Sequence, residues 1–345
     1  MLLVNRSGVT IRDVAERSGV SIQTVSRVIN NRPDVAEETR KRVQLAIADL
    51  RFRPSGIARS LVTRHSGALG VVAGGFQHYG PTRLLTGIER EASALGWHLL
   101  LQSFDQARSD DELERIGTTL ISERVTGVLW VYPELSSDQE QAFYEQIAPH
   151  APVFFLSMLP VTGTPVLSVD NRAGARMAVE HLIGRGRRNI GIITGETELW
   201  SAVERQAGWQ DALSRAKLPC PASAVAHGDW TPASGDAGMR QLLKSNPELD
   251  AVFASNDQMA FGAMRAAMQL GKRVPQDLAI IGFDNTPESA VFTPALTTVQ
   301  HDLVELGTLA VRELHRLVEA QRNGQDIPRP ASLMLQPSLV VRESA

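Results

Sequence analysis

Cysteine is nearly absent from this 345-residue chain, which holds Cys220 alone. A single thiol excludes an intrachain disulfide and a thiolate metal cluster, and its place between Pro219 and Pro221 reads as a loop. The eight histidines are scattered, without i, i+4 pairs or partner cysteines, so no metal site is expected. No apolar stretch approaches membrane-spanning length, and the opening MLLVNRSGVT carries no long apolar run after its charge. The chain therefore reads as neither secreted nor membrane-embedded, and a reducing cytoplasm fits it. No G-x-S-x-G elbow or other nucleophile motif is present. The run GRGRR at 184–188 follows a predicted helix and precedes a predicted strand, the reverse of a dinucleotide fingerprint, so Gly184 or Gly186 reads as a helix C-cap. Neither enzyme activity nor a cofactor is expected.

What is present divides by charge. Residues 1–65 carry twelve basic side chains against six acidic ones, so a net charge of −3 for the chain leaves −9 on the remainder. A basic head on an acidic body suggests a polyanion for the head alone. Within it, Thr10 before Ile11, Arg12 and Asp13 reads as an N-cap close to a capping box. Ile11, Val14 and Ala15 then share one helical face, and Gly19 marks a tight turn. Ser21 opens a second helix, Ile22 to about Asn30, with Val25, Val28 and Ile29 inward; a third runs from about Glu37 to Leu50, with Val43, Ala46, Ile47 and Leu50 inward. Two helices with a short Gly-containing turn, backed by a third, predict a helix-turn-helix unit whose second helix enters the major groove. Its base-facing side chains are Ile22, Gln23 and Arg27. Gln pairs bidentately with adenine, Arg with guanine, and Ile meets a thymine methyl. Thr10, Ser21, Thr24, Ser26 and Asn30 supply short polar groups suited to phosphate oxygens. A generic three-helix bundle with a polar surface helix is the competing reading.

The whole string VTIRDVAERSGVSIQTVSRVINNRPDVAEETRKRVQLAIADLRFRPSGIARSL resembles the head of the lac/gal repressor family. Asp34 departs from the family, which often has a neutral or basic group near phosphate there. In the family, the segment matching PSGIARSL (54–61) becomes a helix on operator DNA, and paired copies enter the minor groove. The resemblance places Ala58 and Leu61 at that groove, with Leu61 as the wedge that opens the central step, a kink costing a few kcal/mol. Packing of Leu61 on the body is the alternative.

From Gly67 onward, apolar strands alternate with amphipathic helices: ALGVVA, WHLLLQS, GVLWV, PVFFLS and PVLSV, then NIGIIT, SAVAHG, DAVFAS and LAIIGF. Helices are expected at about 82–95, 109–123, 138–148, 172–185, 199–215, 233–244 and 257–270. The alternation predicts parallel sheets covered on both faces, in two lobes that meet near residue 169. The last helix, about 303–320, and the PASLMLQPSLVV strands are expected to cross back between lobes. The fold class is thus a small all-α helix-turn-helix head plus a two-lobed α/β body, which resembles the periplasmic-binding-protein-like sensor of the same family. The expected domains are 1–53 (head), 54–65 (hinge) and 66–345 (effector binding and dimerisation). Lobe 1 is expected at about 66–169 and 300–328, lobe 2 at about 170–299 and 329–345.

Ligands of open α/β sheets sit beyond the carboxyl ends of strands. Asn256 and Asp257 follow DAVFAS, Asp284 follows LAIIGF, Trp230 follows AVAHGD, and Arg205 opens the helix after NIGIITG. Asp257 reads as a helix N-cap, and Trp230 has a plain core role as its alternative. The resemblance implies that Arg205, Trp230, Asn256 and Asp284 line the effector cleft. Such groups suit vicinal hydroxyls, and an indole suits the apolar face of a pyranose. GDW, ASNDQMAFGAMRAA and LTTVQHDLVELG stand closer to the lactose-responsive branch, which points to a sugar such as a β-galactoside or another β-linked disaccharide. Ser157 stands where that branch has a cleft aspartate, His301 where it has glutamine, and the loop GGFQHYGP also differs. A purine or phosphoprotein co-repressor remains open, with Phe76 and Tyr79 the only aromatics near the first strand to sandwich a base. A solute-binding transport protein would need an export signal and no DNA-binding head. The expected partners are palindromic operator DNA and a second copy of the chain, with no membrane. No heptad-repeat tail precedes Ala345, so a dimer rather than a tetramer is expected.

Overall fold

The computed structural model describes residues 9–29, 32, 34–52, 67–104, 109–132, 134–157, 164–325 and 332–345. Asn30, Ala58, Leu61 and the expected hinge at 54–65 lie outside the described residues. The chain forms two compact units, 1–66 and 67–345.

In the smaller unit, α1 (Ile11–Ser18), α2 (Ile22–Ile29) and α3 (Glu37–Asp49) surround one apolar cluster. Thr10 and Asp13 form a complete capping box at the start of α1, each satisfying a backbone N–H that the helix leaves open. Gly19 ends α1 at φ 65°, a conformation a side chain would resist, and this turn aims α2 away from α1. Val14, Val25 and Val43 are fully buried, one from each helix, and Val28 and Ala46 fill in around them.

The larger unit contains two six-stranded sheets. The first has the order β11–β5–β4–β3–β1–β2, all parallel, from β1 (Ala68–Ala73), β2 (His98–Ser103), β3 (Gly127–Trp130), β4 (Val153–Leu156), β5 (Val166–Val169) and β11 (Leu333–Leu335). Helices α4 (Tyr79–Ala94), α5 (Asp110–Ser122), α6 (Ser137–Ile147) and α11 (Leu303–Arg322) cover it. Along β1, Leu69 and Val71 face the cluster containing Leu84 and Leu306, and Val72 faces the one containing Ile116 and Phe143. Burial on both faces is why these strands read as continuous apolar runs.

The second sheet has the order β12–β10–β9–β8–β6–β7, from β6 (Ile190–Thr194), β7 (Val225–His227), β8 (Ala251–Ala254), β9 (Ala279–Phe283), β10 (Thr297–Gln300) and β12 (Ser338–Val340). Only β12 runs antiparallel, paired with β10. Helices α7 (Asn171–Gly184) and α8 (Trp200–Arg215) pack on one face, α9 (Pro232–Ser245) and α10 (Asp257–Gln269) on the other.

The chain passes between the sheets three times, after β5, after β10 and after β11. Two crossings are tied together by the Asp170 N–H, which donates to the Leu335 carbonyl at 3.0 Å. Two expectations change here. TTVQ forms β10, a strand that the runs of apolar residues did not reveal because two of its four residues are threonine. Leu333–Leu335 joins the first sheet, although 329–345 was expected with the second lobe; its partner β5 offers a free edge there. Among the described residues, no helix is long and apolar enough to cross a membrane.

Candidate functional site

Two places gather the residues singled out from the sequence. On α2, an advance of about 100° per residue separates two faces. Val25, Val28 and Ile29 turn into the cluster, and positions 22, 23, 26 and 27 share the opposite arc. Ile22 and Gln23 are exposed, with Ile22 at 43%, unusual for an apolar side chain that has a core beside it. Ser21 accepts from the Thr24 N–H at 3.1 Å, so this hydroxyl caps α2, and the Thr24 hydroxyl lies 2.9 Å from it. Thr24 and Ser26 are half-buried. Thr10 spends its hydroxyl on the capping box. Arg27 is exposed and lies 3.5 Å from the Asp34 carboxylate, so the departure noted in the sequence faces the arginine expected to read a base.

The second place is a cleft within the larger unit, at the carboxyl ends of the strands. Ser157, Arg205, Trp230, Asn256, Asp284 and His301 all line it. Three of them adopt positive φ: Ser157 at 57°, Trp230 at 69° and Asp284 at 122°. Non-glycine residues rarely do so, and such backbone concentrates where side chains are aimed at a ligand.

Arg205 lies more than a turn inside α8 rather than at its opening, and is buried. Its Nε–H donates to Asn171 Oδ1 at 2.9 Å, Nη1 donates to the Ser255 carbonyl, and the guanidinium lies 3.7 Å over the Phe283 ring. Asp284 stands 3.8 Å from Nη1. Burial pulls the Arg205 pKa down to about 10, while Asp284, Asp257 and Glu134 hold it up, so the group stays cationic at neutral pH. Asp284 also accepts from His301 Nε2 at 2.9 Å. A carboxylate partner requires the proton on Nε2, which leaves Nδ1 as an acceptor, and that atom is buried without a partner. Burial lowers the His301 pKa more than Asp284 raises it, so the ring is neutral at pH 7.

Asn256, not Asp257, is the N-cap of α10: its Oδ1 accepts from the Met259 N–H at 2.8 Å, and its Nδ2 donates to the Trp230 carbonyl at 3.0 Å. The amide thus fixes the turn that presents the indole. Gly195 completes this arrangement, since a Cβ there would stand 2.1 Å from the Trp230 ring. Asp257 is instead fully buried, accepting from the Thr286 N–H at 2.8 Å, the Ser289 hydroxyl at 2.6 Å and the Thr298 hydroxyl at 2.5 Å. Burial, with Asp284 nearby, pushes its pKa up to about 7.

On the first-lobe side, sequence reasoning named Ser157, Tyr79 and the loop that holds His78, and missed Tyr132 and Glu134, which also line the cleft. Tyr132 and Glu134 follow β3, so the rule that ligands lie beyond strand ends would have found them. Asn171, the partner of Arg205, follows β5 in the same way. Tyr79 lines the cleft, whereas Phe76 is exposed and does not. Among the described residues, no cluster of three His, Cys, Asp or Glu could hold a metal ion.

Comparison with known proteins bears on both places. The family profile described as "Bacterial regulatory proteins, lacI family" matches residues 10–55, and that of a "Periplasmic binding protein-like domain" matches 179–345. The lactose operon repressor of Escherichia coli (strain K12) is 33% identical over 327 residues, covering 94% of this chain and 89% of that protein. The HTH-type transcriptional repressor PurR of Escherichia coli O1:K1 / APEC is 35% identical over 341 residues, covering 97% and 96%. Among solved structures, the lac repressor dimer bound to operator and the anti-inducer ONPF has a TM-score of 0.86 at 31% identity, covering 98% of this chain and 99% of that one. A cellobiose complex of the transcriptional regulator CelR has a TM-score of 0.70 at 30% identity, covering 98% and 100%.

Proposed function

Because the chain belongs to the lacI family of bacterial regulatory proteins, we propose that it is a transcriptional repressor of the cytoplasm that binds palindromic operator DNA as a two-fold dimer and answers to a sugar in the cleft of its larger unit. One observation carries the sugar reading: a half-buried indole that shares one cleft with a guanidinium, a carboxylate and an imidazole. The indole offers an apolar face to a pyranose, and the polar groups suit its hydroxyls. A solved relative supports the same class, since CelR was captured with cellobiose. We take a β-galactoside or another β-linked disaccharide as the effector. The purine reading keeps the similarity to PurR but has only Tyr79 of its two proposed aromatics in the cleft.

The division proposed is a DNA-binding head at 1–53, a hinge at 54–65 and a sensor at 66–345. In the head, Ile22, Gln23 and Arg27 read bases, Ser21, Thr24, Ser26 and Asn30 hold phosphates, and Thr10 acts through the capping box of α1; Ala58 and Leu61 of the hinge meet the minor groove. A dimer is supported by the exposed apolar surface at Val291, 80% accessible, next to Phe292 stacked on Phe261 at 4.8 Å. Such a surface is costly in water unless a second copy covers it. The relatives are repressors rather than enzymes, which agrees with a cleft that binds and releases.

The test is differential scanning of the purified chain against lactose, cellobiose, hypoxanthine and guanine. A disaccharide that raises the melting temperature with saturation supports the reading; stabilisation by a nucleobase alone replaces it with the purine one.

A further inference from the structure

We propose that Glu134 makes the cleft selective for uncharged ligands, by reaching from the first lobe to the amino end of α8 and occupying the place that an anionic substituent would take. The inference deepens the sugar reading and rests on it for the class of ligand. Glu134 follows β3 in the first sheet, whereas α8 packs on the second. Its Oε2 nevertheless accepts from the Trp200 N–H, the first of α8, at 2.5 Å. The residue before that helix, Leu199, supplies no side-chain cap, so the carboxylate from the other lobe serves as one. A helix start collects unpaired N–H groups and the positive end of the helix dipole, which favours an anion. Here that anion belongs to the protein.

Charge in the rest of the cleft points the same way. Among the described residues lining it, Arg205 is the one arginine or lysine, and Asp284 already stands 3.8 Å from that guanidinium. His301 is neutral through burial, and burial also raises the Tyr79 hydroxyl, so at neutral pH the imidazole adds no positive charge and the phenol no negative one. Arg205 thus already has two carboxylates, Asp284 and Glu134, acting on it. A phosphate or carboxylate on the ligand would meet both of these carboxylates in a partly desolvated space, where like charges repel far more strongly than in water. A hydroxyl meets no such opposition, because a carboxylate accepts from it.

Glu134→Gln tests this in the full-length chain, since the amide oxygen keeps an acceptor for the Trp200 N–H while the charge is lost. Isothermal titration would compare wild type and variant against inorganic phosphate and lactobionate as anionic probes, with lactose and cellobiose as neutral ones. Phosphate bound by the basic head is common to both proteins and cancels in the comparison. The expected result is a gain of at least about tenfold in affinity for the anionic probes in the variant, and a fall of the same size in the ratio of neutral to anionic affinity. If neither sugar binds but the phosphate contrast holds, the sugar reading fails and charge selection stands. Equal phosphate and lactobionate binding by the two proteins overturns the inference, as does wild type binding lactobionate as tightly as lactose.

Discussion

His301 reports how much of the cleft is set by burial. Its ring is edge-on to Phe283 at 5.1 Å, and its Nε2–H donates to Asp284. Burial lowers its pKa below the ordinary 6.5. As pH falls through 6.5 the unfolded chain takes up a proton there and the folded chain does not, so this group makes folding less stable at lower pH. Asp257 acts in the opposite sense, since its folded pKa near 7 lies above its ordinary 3.8 and folding takes up a proton between the two. The two effects separate only by comparison with a variant. Glutamine at 301 keeps a donor for Asp284 and cannot titrate. Between pH 7.5 and 5.5, wild type should therefore lose stability relative to His301→Gln, by at most about 1.4 kcal/mol for each pH unit below 6.5. Urea midpoints of the larger unit's transition measure this. A difference between the two proteins that stays constant with pH would mean that the imidazole is not held neutral.

Among the elements, α2 was readable in advance because three independent signals agree on it. Ser21 caps it, Gly19 turns the chain into it, and valines at 25 and 28 fix its inner face. The sensor's parallel strands were readable for a similar reason, being apolar on both faces and bounded by helices. β10 was not, because threonines at 297 and 298 are buried by pairing and by hydrogen bonds that only the fold supplies. The first-lobe side of the cleft was within reach of the strand-end rule, but the contact of Glu134 with a helix start 66 residues along the chain was not, since nothing local announces it. Positive φ at Ser157, Trp230 and Asp284 likewise comes from tertiary packing, with no glycine to mark it. The pair between Arg27 and Asp34 is a further product of folding, and the proposed role of Arg27 makes it testable through DNA binding. Arg27→Ala should cost about 1–3 kcal/mol on the cognate operator and blur preference at one base pair. Asp34→Asn removes a negative charge beside Arg27, so it should raise affinity for random DNA and steepen the salt dependence by at most about one phosphate. Fluorescence anisotropy on cognate and random duplexes at several salt concentrations separates these effects. Equal losses on both duplexes for Arg27→Ala would remove α2 from base recognition.

For the whole molecule, the three crossings between the lobes determine what a ligand can do. The crossing after β10 begins at His301, next to Asp302, which caps α11. The crossing after β5 leads through Asp170 to Asn171, the partner of Arg205. Cleft residues therefore sit on the segments that must turn if the lobes change their angle. A ligand shifts that angle only by binding one arrangement more tightly than the other. In the proposed dimer, whose hinges are expected to meet in the minor groove, an altered lobe angle would separate them. We expect induction: sugar lowers operator affinity, and operator lowers sugar affinity by the same factor, because the coupling is one free energy. Asp284→Asn should abolish the response while operator binding persists, since the amide presents a donor where a sugar hydroxyl needs an acceptor. It also weakens the partnership with buried Arg205, so the larger unit should lose roughly 1–3 kcal/mol of stability. Operator titrations of wild type and variant, with and without the sugar, measure the coupling, and sugar titrations with and without operator check its reciprocity. An Asp284→Asn protein that still releases operator on adding sugar would place the effector elsewhere. Tighter operator binding by wild type on adding sugar would reverse the sign of the switch while leaving the cleft as its seat.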